Sequence, residues 1–545
     1  MSDWRDIVSY TAEFRRVAEL PRSIEREPDV ENLTDALRTP KGTMTLRPLQ
    51  ALALEELHAC RGLLGALPVG VGKTLITFLA GAIFEAKRPL LLIPANLHDK
   101  TVRDFDELAK HWNAEPPKIV SYSWLSRAGQ AEWLNEYAPD LVGADEAHKL
   151  KNDQAACTRR VFRYLLEHRE VPFYALTGTL WGRSIMDMHK LSALTLGAEN
   201  MPFPQGPKEC RVWAAAVDEK VSIRARPGAL EMFLLDGEPP SVPNVRAGLG
   251  RRIFETPGVV ASETVECGAS LCIRLQHRKI PAECVEHVQK LLDEELAPNG
   301  DICTPSDVAR HLKSLALGFF YEWHPAPPWE WLDARRHWKR FASDILAAND
   351  GVFDSELQVW NACKRGDLSQ HAWVPWAKIK KTYTGKSVAR WISDDTLNDI
   401  VATVGNTPTI VWVEQVAVGQ YLHDMTDWPY YREQGRDKNG RLIDDHDPTA
   451  GPAIASIASN HEGRNLQHWS RALVTSPPAN GKIWEQMIGR IHRPGQSADT
   501  VEFDVWIQHP RIRAQFRQAI RDARMHNEIT TQPRKLLLAD YPEEV

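Results

Sequence analysis

Gly70-Val71-Gly72-Lys73-Thr74 combines residue types suited to holding a phosphate. Glycines let backbone N–H groups curl around an anion, and the start of a helix adds a favourable dipole. A lysine then neutralises the outer phosphates, and a threonine hydroxyl can ligate magnesium. The bland alternative is a glycine turn with an exposed lysine. Asp145-Glu146-Ala147-His148 sets two adjacent carboxylates directly after an apolar run at 141–144. At the carboxyl end of a parallel strand, such a pair points to different sides of a ligand crevice, so one can serve a metal and the other a water. Taken alone, the pair would also suit a helix cap or a solvated turn. Arg490 and Arg493 lie three apart in a stretch of helical character, so both project from one face.

Such side chains need a rigid frame, and the pattern around them supplies one. From about 46 to 196, short apolar runs (63–67, 89–93, 119–120, 141–144 and 173–176) alternate with amphipathic stretches of helical length. That alternation predicts a parallel α/β domain. It fades between 197 and 385, where prolines give way to helical sequence, and returns beyond 386 with strand candidates at 409–413, 453–458, 472–475 and 501–507. The expected organisation is a helical extension at 1–44, a first α/β domain at 45–196, and a mainly helical, tryptophan-rich insertion at 197–385. A second α/β domain follows at 386–508, then a C-terminal helix and tail at 509–545.

Composition narrows the classes. The 545 residues suffice for several domains, and 43% apolar with 25% charged residues is ordinary for a folded globular chain. A net charge of −6 excludes a histone-like binder acting through bulk charge, while leaving room for a local basic groove. No run reaches the length of a membrane helix and the N-terminus lacks signal-peptide order, so a cytoplasmic protein with no membrane partner is expected. Eight cysteines do not form a disulfide framework. Cys267, Cys272, Cys284 and Cys303 are spaced unlike a zinc site, which favours buried thiols over zinc.

Taken in order, Leu46-Arg47-Pro48-Leu49-Gln50, the loop ending Gly72-Lys73-Thr74, the run from Asp145 to Asn152 and Leu176-Thr177-Gly178-Thr179 resemble the first-domain motifs of superfamily-two helicases. Glu462-Gly463-Arg464-Asn465-Leu466-Gln467 and the run from Gln486 to Gln496 are similar to second-domain motifs of the Swi/Snf branch, the duplex DNA translocases. The tryptophan-rich middle resembles insertions in helicases encoded by bacterial viruses. Two departures stand out: Leu67 occupies the first glycine position of the phosphate loop, and Ser476-Pro477-Pro478 stands where an acidic residue is usual.

The resemblance implies two RecA-like P-loop domains that bind ATP and Mg²⁺ and couple hydrolysis to movement along DNA, duplex or forked rather than RNA. It implies roles residue by residue. Arg47 and Gln50 would meet the nucleotide, with Gln50 reading adenine. Gly70, Val71, Gly72, Lys73 and Thr74 would hold the phosphates, and Gly463 and Asn465 would approach from the second domain. Thr74 and Asp145 would serve the metal through water, Glu146 would activate the attacking water, and His148, Thr177 and Thr179 would relay between sites. Gln486, Arg490 and Arg493 would complete catalysis across the cleft. With both core domains in one chain, a monomer is expected. A nucleotide-gated DNA-binding module and an RNA-remodelling ATPase are the competing readings.

In the middle segment, Trp331, Ala334, Trp338, Phe341 and Ile345 recur at helical spacing, which predicts a core stripe. The stretch from Lys364 to Trp391 is strongly basic, and it is the better candidate for phosphate contact.

Overall fold

The computed structural model describes residues 7–23, 27–68, 70–151, 155–178, 184–219, 221, 224–262, 267–348, 356–530 and 532–542. The chain builds two six-stranded parallel sheets flanked by helices, an α/β architecture. The first sheet contains β1 (Gly62–Ala66), β2 (Pro89–Ile93), β3 (Lys118–Ser121), β4 (Leu141–Asp145), β5 (Phe173–Thr177) and β6 (Val259–Ala261). Their order is β3-β2-β4-β5-β1-β6, with every neighbouring pair parallel.

These strands read as continuous apolar runs because helices cover both faces. Alternate residues enter different cores. Leu64, Leu90, Leu92, Val142 and Phe173 pack on one side with Val161 and Met188. Leu63, Leu91, Ile93, Tyr174 and Leu176 pack on the other with Leu54, Ile76 and Phe105.

The second sheet begins with β7 (Ser270–His277). After an antiparallel pair, β8 (Phe319–His324) and β9 (Lys386–Trp391), it continues with β10 (Ile410–Val413), β11 (Tyr430–Tyr431), β12 (Ala453–Ser456), β13 (Arg471–Val474) and β14 (Thr500–Ile507). The order is β11-β12-β10-β13-β14-β7, again parallel throughout. On β7, Leu271, Ile273 and Leu275 face the core. Arg274, between them, bonds Glu502 at 2.8 Å and Asp504 at 2.9 Å on β14.

Sheet membership differs from the expected boundaries at 196 and 386. The segment 197–261 belongs with the first sheet: it supplies β6, and its Trp213, Leu249 and Ile253 share a core with β1 and β4. Phe14 and Val17 of the N-terminal extension enter that same core. The segment 270–316 belongs with the second sheet through β7 and through Val288, Leu291, Leu312 and Leu315. The β8–β9 pair packs on the second sheet, where Phe319 shares a core with Val411, Val413 and Leu473, whereas the helices Trp329–Ala348, Glu356–Arg365 and Trp373–Ile379 carry a small core of their own around Trp338, Val359 and Cys363. The tryptophan stripe is core, with Trp331 and Trp338 buried, whereas Trp329 is exposed.

The C-terminal helix Pro510–Thr530 ties the two halves together. Ile512 and Phe516 enter the second core, Met525 and Ile529 the first. Each such side chain contributes roughly 1.5–3 kcal/mol of burial, so the helix is anchored at both ends. Beyond it, Gln532 donates to the Ala66 carbonyl at the end of β1 (2.9 Å), and Arg534 donates to the Gly178 carbonyl after β5 (3.1 Å). Lys535 turns the other way, its amide donating to Glu485 of the second domain at 2.8 Å.

Among the described residues, no helix is long and apolar enough to cross a membrane, and no group of three or more His, Cys, Asp or Glu could hold a metal ion. The eight cysteines are free thiols. Burial pushes the Cys284 thiol up to about 11 and that of Cys303 up to about 12.

Candidate functional site

The carboxyl ends of β1, β5 and β4 lie side by side, and each carries one of the motifs. After β1 the chain enters the glycine-rich segment that ends at Thr74. Leu67 is fully buried, and its amide donates to the Thr177 carbonyl at 3.0 Å, so a side chain here continues the sheet instead of lining the loop. Gly70 and Gly72 have φ of +99° and +87°, a region that disfavours side chains. Lys73 opens the helix Lys73–Ile83, and its ammonium donates to the carbonyls of Leu67 (2.9 Å) and Pro68 (3.3 Å).

Gln50 braces the loop from behind. Its amide nitrogen donates to the Val71 carbonyl at 3.1 Å, and its amide oxygen accepts from the Arg47 amide at 2.9 Å. Arg47 in turn donates to the Gly70 carbonyl at 3.3 Å. A Cβ on Gly72 would overlap the Gln50 amide. Gly72→Ala is therefore expected to displace the loop, weakening triphosphate binding at least tenfold and costing about 1–3 kcal/mol of stability; calorimetric titration and thermal melting read the two effects.

Asp145 ends β4, and Glu146 follows in a left-handed conformation (φ +52°), its amide donating to Asp145 Oδ1 at 2.9 Å. Such backbone is uncommon for a residue with a side chain. Tyr122 donates its hydroxyl to the Asp145 carbonyl at 2.7 Å. Burial pushes the Asp145 carboxyl up to about 6, with Lys73 opposing the shift. Burial also works against ionisation of Glu146, but hydrogen bonding from His148 and the charge of Lys73 override it and hold the group down at about 2. His148 Nδ1 lies 3.3 Å from Glu146 Oε2 and 3.3 Å from the Thr177 hydroxyl.

The second domain meets this surface with the helix Gly481–Ile491 and the loop after β12. Arg490 is buried; its Nε donates to the His461 carbonyl at 3.0 Å, and desolvation lowers its pKa to about 10. Arg493 donates to Asn465 Oδ1 at 2.8 Å, leaving its Nε without a partner. Asn465 is held by its own amide, which donates to Asp444 at 2.7 Å. Gly463, with φ +73°, lets Leu97 of the first domain approach so closely that a Cβ would overlap it.

The result is one cavity of about 180 Å³ between the domains. Gly70, Gly72, Lys73, Thr74, Asp145 and Glu146 line it from the first domain, and Gly463, Arg490 and Arg493 from the second. Small-molecule pockets usually span about 300–1,000 Å³, so this volume suits a chain of phosphates better than a whole nucleotide. Of the remaining expected residues, Arg47 and Gln50 lie behind the loop, Val71 is buried within it outside the cavity lining, and Asn465 positions Arg493. His148 and Thr177 sit beside Glu146. Gln486 is buried one turn before Arg490, outside the lining, with its amide oxygen unpaired. Thr179 lies outside the described residues.

Two features escaped the sequence reading. The helix His98–Leu108, which follows β2, adds Lys100, Thr101 and Asp104 to the cavity. Glu462, 4% exposed, reaches across from the second domain to within 3.8 Å of His148 Nε2 and 3.4 Å of Lys149 Nζ. The only local signal for Lys100 is its place just past a strand's carboxyl end; for Glu462 it is adjacency to Gly463. No protein-family model matches the chain, and no curated protein matches it at a significant level.

Proposed function

We propose that this cavity binds and hydrolyses ATP, and that the protein is a nucleic-acid-dependent ATPase whose two RecA-like domains couple hydrolysis to movement along DNA. One observation carries the reading: the guanidinium-bearing residues Arg490 and Arg493 line the same cavity as Lys73 and Glu146, although more than 300 residues separate them in sequence. Surface arginines serving salt bridges would have no reason to converge there.

The groups fit the chemistry. Four cations, Lys73, Lys100, Arg490 and Arg493, face three carboxylates, an excess of positive charge suited to a triphosphate. Lys73 would exchange its two loop carbonyls for phosphate oxygens. Glu146, held ionised by His148, would order the attacking water and draw off its proton. Arg490 and Arg493 would stabilise the charge that develops on the transferred group. Thr74 and Asp145 are hard oxygen donors, and they would hold Mg²⁺, which takes only one or two protein carboxylates beside the phosphates. Bound there, the ion would neutralise charge on the outer phosphates.

Preference for DNA rests on the motif resemblance, and turnover measured against a panel of duplex DNA, single strands and RNA tests it. Stimulation by duplex DNA supports the translocase; stimulation by RNA alone moves the protein to the remodelling class. Nucleotide binding with no turnover under any condition would leave a gated binding module.

Glu462 bears on coupling, because it joins the second domain to the histidine that holds Glu146. Glu462→Ala is expected to lower nucleic-acid stimulation of turnover by roughly 5- to 100-fold, while nucleotide affinity stays within about twofold. Steady-state kinetics with and without DNA checks this.

A further inference from the structure

Three of the four cations in the cavity already have protein acceptors: Lys73 has the loop carbonyls, Arg490 the His461 carbonyl and Arg493 the Asn465 amide oxygen. Lys100 lines the same cavity, and among the described residues its ammonium makes no hydrogen bond or ion pair. Its neighbour one turn on, Asp104, would be its partner on an ordinary helix surface, yet the two do not come within pairing distance. Two further carboxylates lie nearby: Asp444 is engaged by the Asn465 amide and by Arg464 at 3.3 Å, and Asp145, whose Oδ1 accepts from the Glu146 amide, feels the charge of Lys100 without pairing with it. Lys100 therefore faces Arg490 and Arg493 across the domain boundary as a third like charge, partly withdrawn from water, with carboxylates nearby but none of the described ones within pairing distance. Burial and the two arginines depress its pKa, with Asp104 and Asp444 opposing. Like charges held together in a cleft are unfavourable unless an anion enters between them.

We propose that Lys100 contacts the terminal phosphate of the bound nucleotide directly, as a ligand that the first domain supplies from the helix after β2 in addition to the phosphate loop. The assignment rests on the nucleotide reading above and makes it more specific. The terminal phosphate would then be gripped on one side by Lys73 and on the other by a cluster drawn from both domains, in which Lys100 belongs to the first and the arginines to the second. A charge-assisted contact of this kind is strong enough for its loss to weaken binding roughly tenfold or more.

The test uses the full chain with Lys100→Met and Lys100→Arg. Thermal melting is recorded alone, with inorganic tripolyphosphate and with Mg²⁺-ATP, and affinity is measured with a fluorescent ATP analogue. If Lys100 is a ligand, K100M melts at or above the wild-type temperature without ligand, because a repulsion has been removed. Its shift with tripolyphosphate and with ATP shrinks, its affinity falls about tenfold or more, and K100R retains most of the wild-type response. A lower melting temperature without ligand and an unchanged affinity would make Lys100 structural and overturn the proposal. So would wild-type affinity and shifts in K100M, or a loss confined to DNA binding. If wild-type protein itself fails to respond to ATP or tripolyphosphate, the nucleotide reading falls first and the Lys100 assignment with it.

Discussion

Lys73→Ala is expected to abolish ATP turnover while moving the melting temperature by less than about 4 °C. The ammonium makes two hydrogen bonds to carbonyls of its own loop and no ion pair, so its removal should cost the fold only about 1 kcal/mol. Its largest effect is on charge inside the cavity: without it, Asp145 and Glu146 face incoming phosphates with one fewer cation between them. Nucleotide affinity and turnover should fall together, by at least 100-fold in turnover per bound nucleotide. Retained turnover would remove the phosphate-loop reading, and a collapse of the melting temperature would make the lysine part of the scaffold.

The second large effect is expected at Arg493. Arg493→Ala should lower turnover by about 10³-fold or more, with nucleotide affinity held within about tenfold. Arg493 is the cleaner probe of the two arginines. Its one side-chain hydrogen bond is to Asn465, whereas Arg490 is almost fully enclosed and its truncation would open a void beneath the helix Gly481–Ile491. An equal loss of binding and turnover in Arg493→Ala would refute a role confined to the transition state. Single-turnover kinetics alongside equilibrium binding separates the two outcomes.

The strands that could be read in advance share one property: they are apolar runs buried on both faces and bounded by polar sequence, as in β2 and β5. β6 is only three residues long. β7 alternates Leu271, Ile273 and Leu275 with Cys272, Arg274 and Gln276, so its local pattern is legible, but its sheet is not. Its partner β14 lies some 230 residues further along the chain, and no local signal specifies such a pairing. The same limit applies to the cavity. The glycine-lysine loop, the acidic pair and the arginines are visible because each group lies within a few neighbouring residues. Lys100 is not, because a single lysine on an amphipathic helix becomes special only when another domain sets two guanidinium groups opposite it. Gln50 was assigned to a base edge by type, yet both ends of its amide are engaged by Val71 and Arg47.

The contacts of Gln532 with Ala66 and of Arg534 with Gly178 have a consequence in time. A ribosome makes those two residues more than 350 positions after the carbonyls they serve, so the emerging chain completes both sheets before the ends of β1 and β5 receive their last partners. Nascent protein should pass through a period in which each lobe is folded but the seam between them is unfastened, and only the late arrival of this segment would close it.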